Sequence, residues 1–288
     1  MMTKRISIWF VLSGAFIHSL SASAENISDQ KPQFGIGLKL WNSSWSSSLA
    51  SVIAGVNGSG VPGVINNFEV AEGERRWDVI PTISMRYKDY FLSASYARFS
   101  TNFNLNNVAI VQPNGVNLLT ARSDHLERTE TDINGGYYVT QNIALTMTYK
   151  YGTVDSSVMT DAAPGVFVPL SSVKGHALLL GVLAAYPIKG RLGTYGQFAY
   201  GPGRLKYTFE TATNNPPPGS KVTFDSTYLI TELGVVYGLP LGSLAISNAS
   251  VGLAYRSQTI KTKGDPIQGN RDLRDVRDGA VLSLNMTF

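Results

Sequence analysis

The side chains best suited to acid–base chemistry in this chain are two histidines, His125 and His176. His125 lies in the segment Ser-Asp-His-Leu-Glu, and a carboxylate that orients a histidine ring can make it a general base. His176 follows Ser171 and Ser172, so a serine nucleophile with a histidine base is the corresponding hypothesis there. The alternatives are a solvated histidine at the end of a strand, a pH sensor or a metal ligand. Because the chain has no cysteine and no two histidines have ligand spacing, a metal cluster is not expected.

A second set of candidates consists of charged residues within segments where apolar and polar residues alternate. Such residues must face away from lipid if the segments cross a membrane. Two interpretations stay open: a charged constriction that selects solutes by sign, and a network of compensated ion pairs that fills a narrow lumen. The predicted inward-facing residues are Lys39, Asp78, Arg86, Asp132, Lys150, Glu232 and Arg256.

A third set lies near the carboxy terminus, where three Arg-Asp pairs occur between residues 271 and 278. Arginine and lysine side chains at the edge of a membrane can bind lipid phosphates. The interleaved aspartates make self-paired surface charges an equal alternative. The candidates for contact with lipopolysaccharide are Lys261, Lys263, Arg271 and Arg274.

Alternating strands are the elements that would position these residues. In the last nine residues, Ala280, Leu282, Leu284, Met286 and Phe288 are apolar and polar residues separate most of them. Successive side chains on a strand point to opposite faces, so this stretch has one apolar face and one polar face. The same pattern runs through residues 143–151, with Ile143 to Tyr151 apolar at every second position.

Ten such segments recur, and the connections between them are alternately short and long. The pattern predicts a transmembrane, antiparallel, up-and-down β-barrel of the all-β class, with eight or twelve strands as alternatives. We expect strands at residues 33–45, 76–87, 90–103, 126–139, 143–153, 174–186, 191–210, 222–237, 244–259 and 275–288. Aromatic residues near the strand ends predict girdles at the membrane interfaces: Trp41, Trp45, Trp77, Tyr87, Tyr137, Tyr186, Tyr237 and Phe288.

The amino-terminal segment has the composition of a secretory signal peptide. Lys4 and Arg5 precede a mostly apolar stretch, and Ala22 to Ala24 form a small-residue cleavage site. We therefore expect residues 1–24 to be a signal peptide and residues 25–288 to form a single barrel domain. The charged fraction of 15% and a mean hydropathy of zero fit a barrel with an apolar outside and a polar inside.

The signal segment, the alternating strands and the terminal Phe288 together resemble Gram-negative outer-membrane β-barrels as a class. In that class a terminal phenylalanine is the signal read by the barrel assembly machinery. The resemblance implies insertion into the outer membrane, with its lipid and lipopolysaccharide as partners. Omptin proteases and a lipid A deacylase share the architecture, but their motifs are not recognisable around His125 or His176.

Function has to come from the lumen and the loops, since barrels host unrelated activities. The leading hypothesis is a non-enzymatic, narrow or gated channel for small solutes. The alternative is a closed structural or surface-binding barrel whose loops contact lipopolysaccharide or a host ligand, and an outer-rim hydrolase is a remote third. Apolar stretches at residues 49–56, 108–111, 116–119 and 166–170 suggest loops that pack together or receive hydrophobic ligands. No cofactor and no nucleic-acid partner is expected.

Overall fold

The computed structural model describes residues 10–12, 15–17, 31–47, 71–111, 117–160, 168–209, 219–240, 248–263 and 273–288. Within these ranges, no helix is long and apolar enough to cross a membrane. A short hairpin precedes the main sheet, formed by β1 (Phe10–Leu12) and β2 (Ala15–Ile17). It lies inside the segment predicted to be a signal peptide, whose cleavage stays a prediction.

Ten further strands form one closed, antiparallel barrel. Each strand pairs with its neighbours in sequence, and the last pairs with the first along Asp275–Thr287 and Gly35–Ser47. This confirms the predicted fold class and the strand count of ten. The strands are β3 (Gln33–Ser47), β4 (Ala71–Tyr87), β5 (Tyr90–Val111), β6 (Asn117–Thr140), β7 (Ile143–Thr160), β8 (Val168–Lys189), β9 (Leu192–Phe209), β10 (Lys221–Gly238), β11 (Asn248–Thr262) and β12 (Arg274–Thr287).

Several strands extend farther toward the long loops than the sequence predicted. β5 continues to Val111 and β6 begins at Asn117, although residues 104–125 were expected to form a loop. Val108 to Val111 pair with Thr120 to Asn117 in that extension. The residues there are rich in valine, isoleucine and leucine, which favour strands. Since about ten residues suffice to cross a membrane, the 24-residue β6 must continue beyond it.

The opposite ends of the strands are joined by tight turns. Tyr87 pairs with Tyr90, Thr140 with Ile143 and Lys189 with Leu192, so two residues make each turn. Lys88 and Gly190 have positive φ angles of 55° and 59°, as tight hairpin turns require. Short turns at one end and long connections at the other give the barrel two distinct mouths.

The outer wall carries a continuous apolar band. On β7, Leu145, Met147, Tyr149 and Tyr151 are exposed, as the alternation predicted. Leu180 on β8 is 66% exposed and Leu233 on β10 is 68% exposed. So much exposed leucine on every side is costly in water and favourable in lipid.

The prediction for two girdle aromatics is wrong. Trp41 and Trp45 are almost completely buried inside the barrel, because they share the inward face of β3 with Lys39 and Ser43. The other predicted girdle residues face outward. Besides the girdle at the short-turn end, a second aromatic ring of residues encircles the outer wall nearer the long loops. It consists of Trp77, Tyr96, Tyr149, Tyr151, Tyr200 and Tyr255.

Candidate functional site

All seven residues predicted to face inward do so. Lys39, Lys150 and Glu232 are buried, and Arg86 is half-buried. The side chains of Asp78, Asp132 and Arg256 are only 12–13% exposed. Strand parity alone turns these residues toward the lumen, because an outward charge would meet the apolar band.

Six of the seven belong to an ion-pair network, which we call the waist. Among the described residues, the waist has five cations and five anions: Lys39, Arg128, Lys150, Arg256 and Arg277, with Asp78, Glu130, Asp132, Glu232 and Asp275. The formal charges therefore cancel. A buried charge without a partner is very costly, and here every member has an opposite charge within 4.0 Å.

Eight of these residues form one continuous chain of contacts. It begins with Lys39, whose Nζ lies 3.0 Å from Glu232, and Arg256 contacts the same carboxylate at 3.0 Å. Lys150 occupies the middle, with its Nζ 2.8 Å from Glu130 and 2.6 Å from Asp132. An ammonium held between two carboxylates couples the neighbouring pairs, so the chain behaves as one network.

The chain of contacts ends, on the side of the long loops, at Asp275. One carboxylate oxygen accepts from Arg128 at 2.7 Å. The other accepts from Trp45 Nε1 at 2.7 Å and from Ser47 at 2.9 Å. Arg128 also pairs with Glu130. Asp275 is thus held by side chains from two other strands, β3 and β6.

Two contacts cross the full diameter of the barrel. β6 and β11 lie opposite each other, with four strands between them in either direction. Gln258 on β11 nevertheless donates to Glu130 on β6 at 2.7 Å. Arg256 lies 4.0 Å from Asp132 across the same gap. Side chains from opposite walls therefore meet in the centre of the lumen.

The pair Arg277–Asp78 completes the waist beside the main chain of contacts. Arg277 also donates to the Ser43 hydroxyl at 2.7 Å. Its guanidinium lies against the rings of Trp41, at 4.3 Å from the centroid, and Phe99. Arginine can stack on aromatic faces in this way because it is planar and weakly hydrated.

Arg86 is the predicted residue that does not join the waist. It lies near the short-turn mouth, where its Nε donates to the Lys88 carbonyl at 2.9 Å. Its guanidinium is 4.4 Å from the centre of the Tyr138 ring. Arg86 therefore lies at one end of the lumen, separate from the central charges.

Apolar side chains fill the lumen on both sides of the waist. Toward the long loops the layer includes Phe103, Leu126, Val173, Leu205, Tyr207, Phe224 and Ile260. Toward the short turns it includes Phe91, Tyr138, Leu183, Tyr195 and Val236. Two cavities that border the waist measure about 30 Å³ and 40 Å³, which is room for a few water molecules at most.

The sequence interpretation missed Arg128, Glu130, Gln258, Asp275 and Arg277. The signal was present for the first two, since even-numbered positions of β6 share the inward face of Asp132. Arg277 and Asp275 were grouped with the outer-rim Arg-Asp pairs, and that grouping is wrong. Neighbouring residues on a strand face opposite sides, so Arg277 pairs with Asp78 inside while Asp278 faces outward and accepts from Ser44 and Tyr255.

The outward charges lie beyond the second aromatic ring, toward the long loops. Lys261, Lys263 and Arg274, which were predicted to contact lipopolysaccharide, are exposed there. Arg271 lies outside the described residues. On the other side of the barrel, Arg98 pairs with Glu127 at 2.8 Å.

The two histidines lie apart, on the outward faces of β6 and β8. His125 faces outward and its Nδ1 lies 2.7 Å from Asn102 Oδ1. His176 is exposed on the outer wall, while Ser171 is buried on the inner face. Ser172 shares the face of His176 but lies four residues away, roughly 13 Å along an extended strand.

Phe288 ends the chain against the first barrel strand. Its backbone N–H donates to the Phe34 carbonyl at 2.8 Å, and its side chain is exposed on the outer wall. The ring is therefore accessible from the membrane side at the short-turn end. Its role as an assembly signal stays a prediction.

Comparison with known proteins gives likenesses of fold alone. No protein-family model and no curated protein sequence matches the chain. Among solved structures, it is similar to the outer-membrane protease OmpT from Escherichia coli, with 12% identity, a TM-score of 0.48 and coverage of 91% of this chain and 100% of that one. The Pseudomonas putida toluene transporter TodX has 9% identity, a TM-score of 0.33 and coverage of 91% and 90%. The outer-membrane protein OprG from Pseudomonas aeruginosa has 11% identity, a TM-score of 0.30 and coverage of 88% and 96%. The predicted class-level resemblance to Gram-negative outer-membrane β-barrels is confirmed, and no activity follows from it.

Proposed function

We propose that this protein is a non-conducting, non-enzymatic barrel of the outer membrane that acts through its outer rim and loops. The observation that carries the proposal is the pair of contacts across the full diameter, Glu130–Gln258 and Asp132–Arg256. A solute path needs a continuous gap between the walls, and these side chains occupy the centre of it. Function then belongs to the surfaces that remain accessible, which are the rim and the loops.

The energetics of the waist favour a lumen that stays closed. Opening it would break three contacts that β6 makes across the lumen, which are Arg128–Asp275, Asp132–Arg256 and Glu130–Gln258. Removing one partner from a buried pair typically costs about 3–5 kcal/mol. Because these contacts come from successive inward positions of β6, a path wide enough for a solute requires several of them to break together.

The outer-membrane location is supported by the exposed apolar band and its two aromatic rings, which suit a bilayer with an interface on each side. A rim hydrolase is disfavoured, because Ser171 lies on the face opposite His176 and Ser172 lies roughly 13 Å from it along β8.

Single-channel recording tests the proposal directly. The mature barrel is refolded into a planar bilayer beside a variant with Arg128, Glu130, Asp132 and Lys150 all replaced by alanine. This variant loses two cations and two anions, so the waist stays neutral while the contacts that β6 makes across the lumen disappear. We expect silence from the wild type and conductance from the variant, with folding of both verified by heat-modifiable migration on gels.

A matched control keeps the test specific to the inner face. Thr129→Ala combined with Thr131→Ala changes the same strand on its outward side, and this variant should stay silent. Discrete conductance steps from folded wild-type barrel would overturn the proposal.

A narrow or gated channel is the second candidate, favoured by one observation. The Arg256–Asp132 contact is 4.0 Å long, at the limit for an ion pair, and it borders the 40 Å³ cavity. If the wild type conducts, neutralising Lys150 and Arg256 should shift its ion preference toward cations. Unchanged selectivity would remove those two residues from a filter.

A further inference from the structure

The outer wall of β8 to β11 carries a concentration of positive charge near the long loops. The members, which we call the basic arc, are exposed side chains on four adjacent strands. Asp225 is the one acidic side chain facing outward among the described residues of this region. The basic arc consists of Lys174, His176, Arg204, Lys206, Lys221, Lys261 and Lys263.

Strand register brings the central members together. His176 pairs with Arg204 across β8 and β9, and Lys174 pairs with Lys206 one step nearer the loops. Arg204 pairs in turn with Asp225 on β10. Lys263 is fixed beside them, because its backbone N–H donates to the Asp225 carbonyl at 2.9 Å.

A surface groove of about 450 Å³ runs through the centre of the arc. Its lining includes His176, Arg204, Asp225 and Lys263. The Arg204–Asp225 pair is 3.3 Å long and exposed, so water screens it and it contributes little to stability. One carboxylate can offset one cation, which leaves the groove positively charged.

The arc lies directly beyond the surface that faces lipid. Leu178 and Leu180 occupy the next outward positions on β8, and Tyr200 precedes Arg204 on β9 by two outward positions; all three are exposed. The headgroup phosphates of a bilayer lie just outside its apolar region. Cations at this height on the outer wall are therefore level with lipid phosphates.

The opposite side of the barrel lacks this excess among the residues that the structure describes. On β5 and β6, Arg98 is paired with Glu127, and His125 contacts Asn102. The charge asymmetry is thus a property of one arc and does not follow from being at the rim.

We infer that the basic arc binds the phosphate groups of an outer-leaflet lipid, with the lipid A portion of lipopolysaccharide as the occupant. Arginine presents a planar fork to phosphate and lysine supplies point charges, and clusters of four to eight such residues bind anionic lipids. Leu178 and Pro202 border the same groove and fit an acyl chain. The inference rests on the proposed outer-membrane location, but it does not depend on a closed lumen.

The test measures binding of fluorescent lipopolysaccharide to folded, detergent-solubilised barrel. Lys174, Arg204, Lys206 and Lys263 are replaced together by glutamine, which keeps most of each side chain and removes its charge. We expect affinity to fall at least about tenfold, and the wild type to bind dephosphorylated lipid as weakly as the variant. The matched control, Arg98→Gln with Glu127→Gln, should bind within about twofold of the wild type, because that side carries no excess charge.

Equal binding by the wild type and the glutamine variant would overturn the inference, as would an equal loss in the control. Displacement by inorganic phosphate alone would also overturn it, since the site would then recognise the anion and not the lipid. Gel migration verifies folding of each variant. Conductance is recorded separately, so a conducting barrel that still binds through the arc contradicts only the proposed function.

Discussion

The waist and the outer rim are built from the same charged residue types but differ in how much water reaches them. Lys150 is buried with two carboxylates in contact, whereas Lys263 is exposed beside a groove. In a medium of low dielectric constant a charge must have a partner. A charge in water needs no partner, so the rim can carry more cations than anions. Burial, and not residue type, therefore separates the paired charges of the waist from the exposed charges of the rim.

The largest effect on stability is expected from a substitution of Glu130. Replacing Glu130 with alanine leaves Arg128, Lys150 and Gln258 without their shared acceptor. We expect the free energy of unfolding to fall by about 4–5 kcal/mol, the upper part of the range for a broken buried pair. Urea unfolding in lipid vesicles measures it. A loss below about 1 kcal/mol, the range of solvent-exposed pairs, would mean that water reaches the waist.

The next largest effect on stability is expected at Arg277, where two variants distinguish the contribution of charge pairing from that of packing. Arg277→Met keeps a long side chain between Trp41 and Phe99 but leaves Asp78 buried without its cation. We expect a loss of about 3 kcal/mol. The double variant Arg277→Met with Asp78→Leu removes the stranded charge and should recover most of it. If the double variant is no more stable than Arg277→Met, the loss of stability comes from lost packing and hydrogen bonding and not from the unpaired charge of Asp78.

The smallest effect is expected at the rim. Glu127→Ala removes the partner of Arg98, an exposed pair with a 2.8 Å contact. Because solvent screens this pair, unfolding in the same urea titration should be indistinguishable from the wild type. Glu127 and Glu130 lie three residues apart on one strand, so the two alanine variants form a matched pair. A large loss of unfolding free energy in Glu127→Ala would contradict the proposed difference between the waist and the rim.

Strand parity made much of this architecture predictable. The alternation in residues 143–151 and 280–288 gave the outward face of β7 and β12, and the same rule turned Lys39, Lys150 and Glu232 inward. Applied two and four positions back along β6 from Asp132, it would also have found Glu130 and Arg128. Trp41 and Trp45 have the parity of Lys39, so the same rule places them inside the barrel, although their size suggests a girdle.

The contacts across the lumen could not be predicted from these patterns. Glu130 and Gln258 are 128 positions apart in the chain, and their meeting depends on strand number, tilt and register around the whole barrel. The basic arc could not be predicted for the same reason, since Lys174, Arg204 and Lys263 become neighbours only when four strands pair. Local sequence gives the face of each residue, and only closure of the barrel gives its partners.

The closed lumen can be tested most directly by thiol accessibility, because the chain has no native cysteine. Thr148 faces inward, is buried and lines the cavity on the short-turn side of the waist. In a Thr148→Cys variant reconstituted in vesicles, we predict no labelling by a membrane-impermeant maleimide from either side. A Lys263→Cys control on the rim should label readily. Labelling of the Thr148→Cys variant by maleimide added on the long-loop side, at the rate of the rim control, would contradict the closed waist.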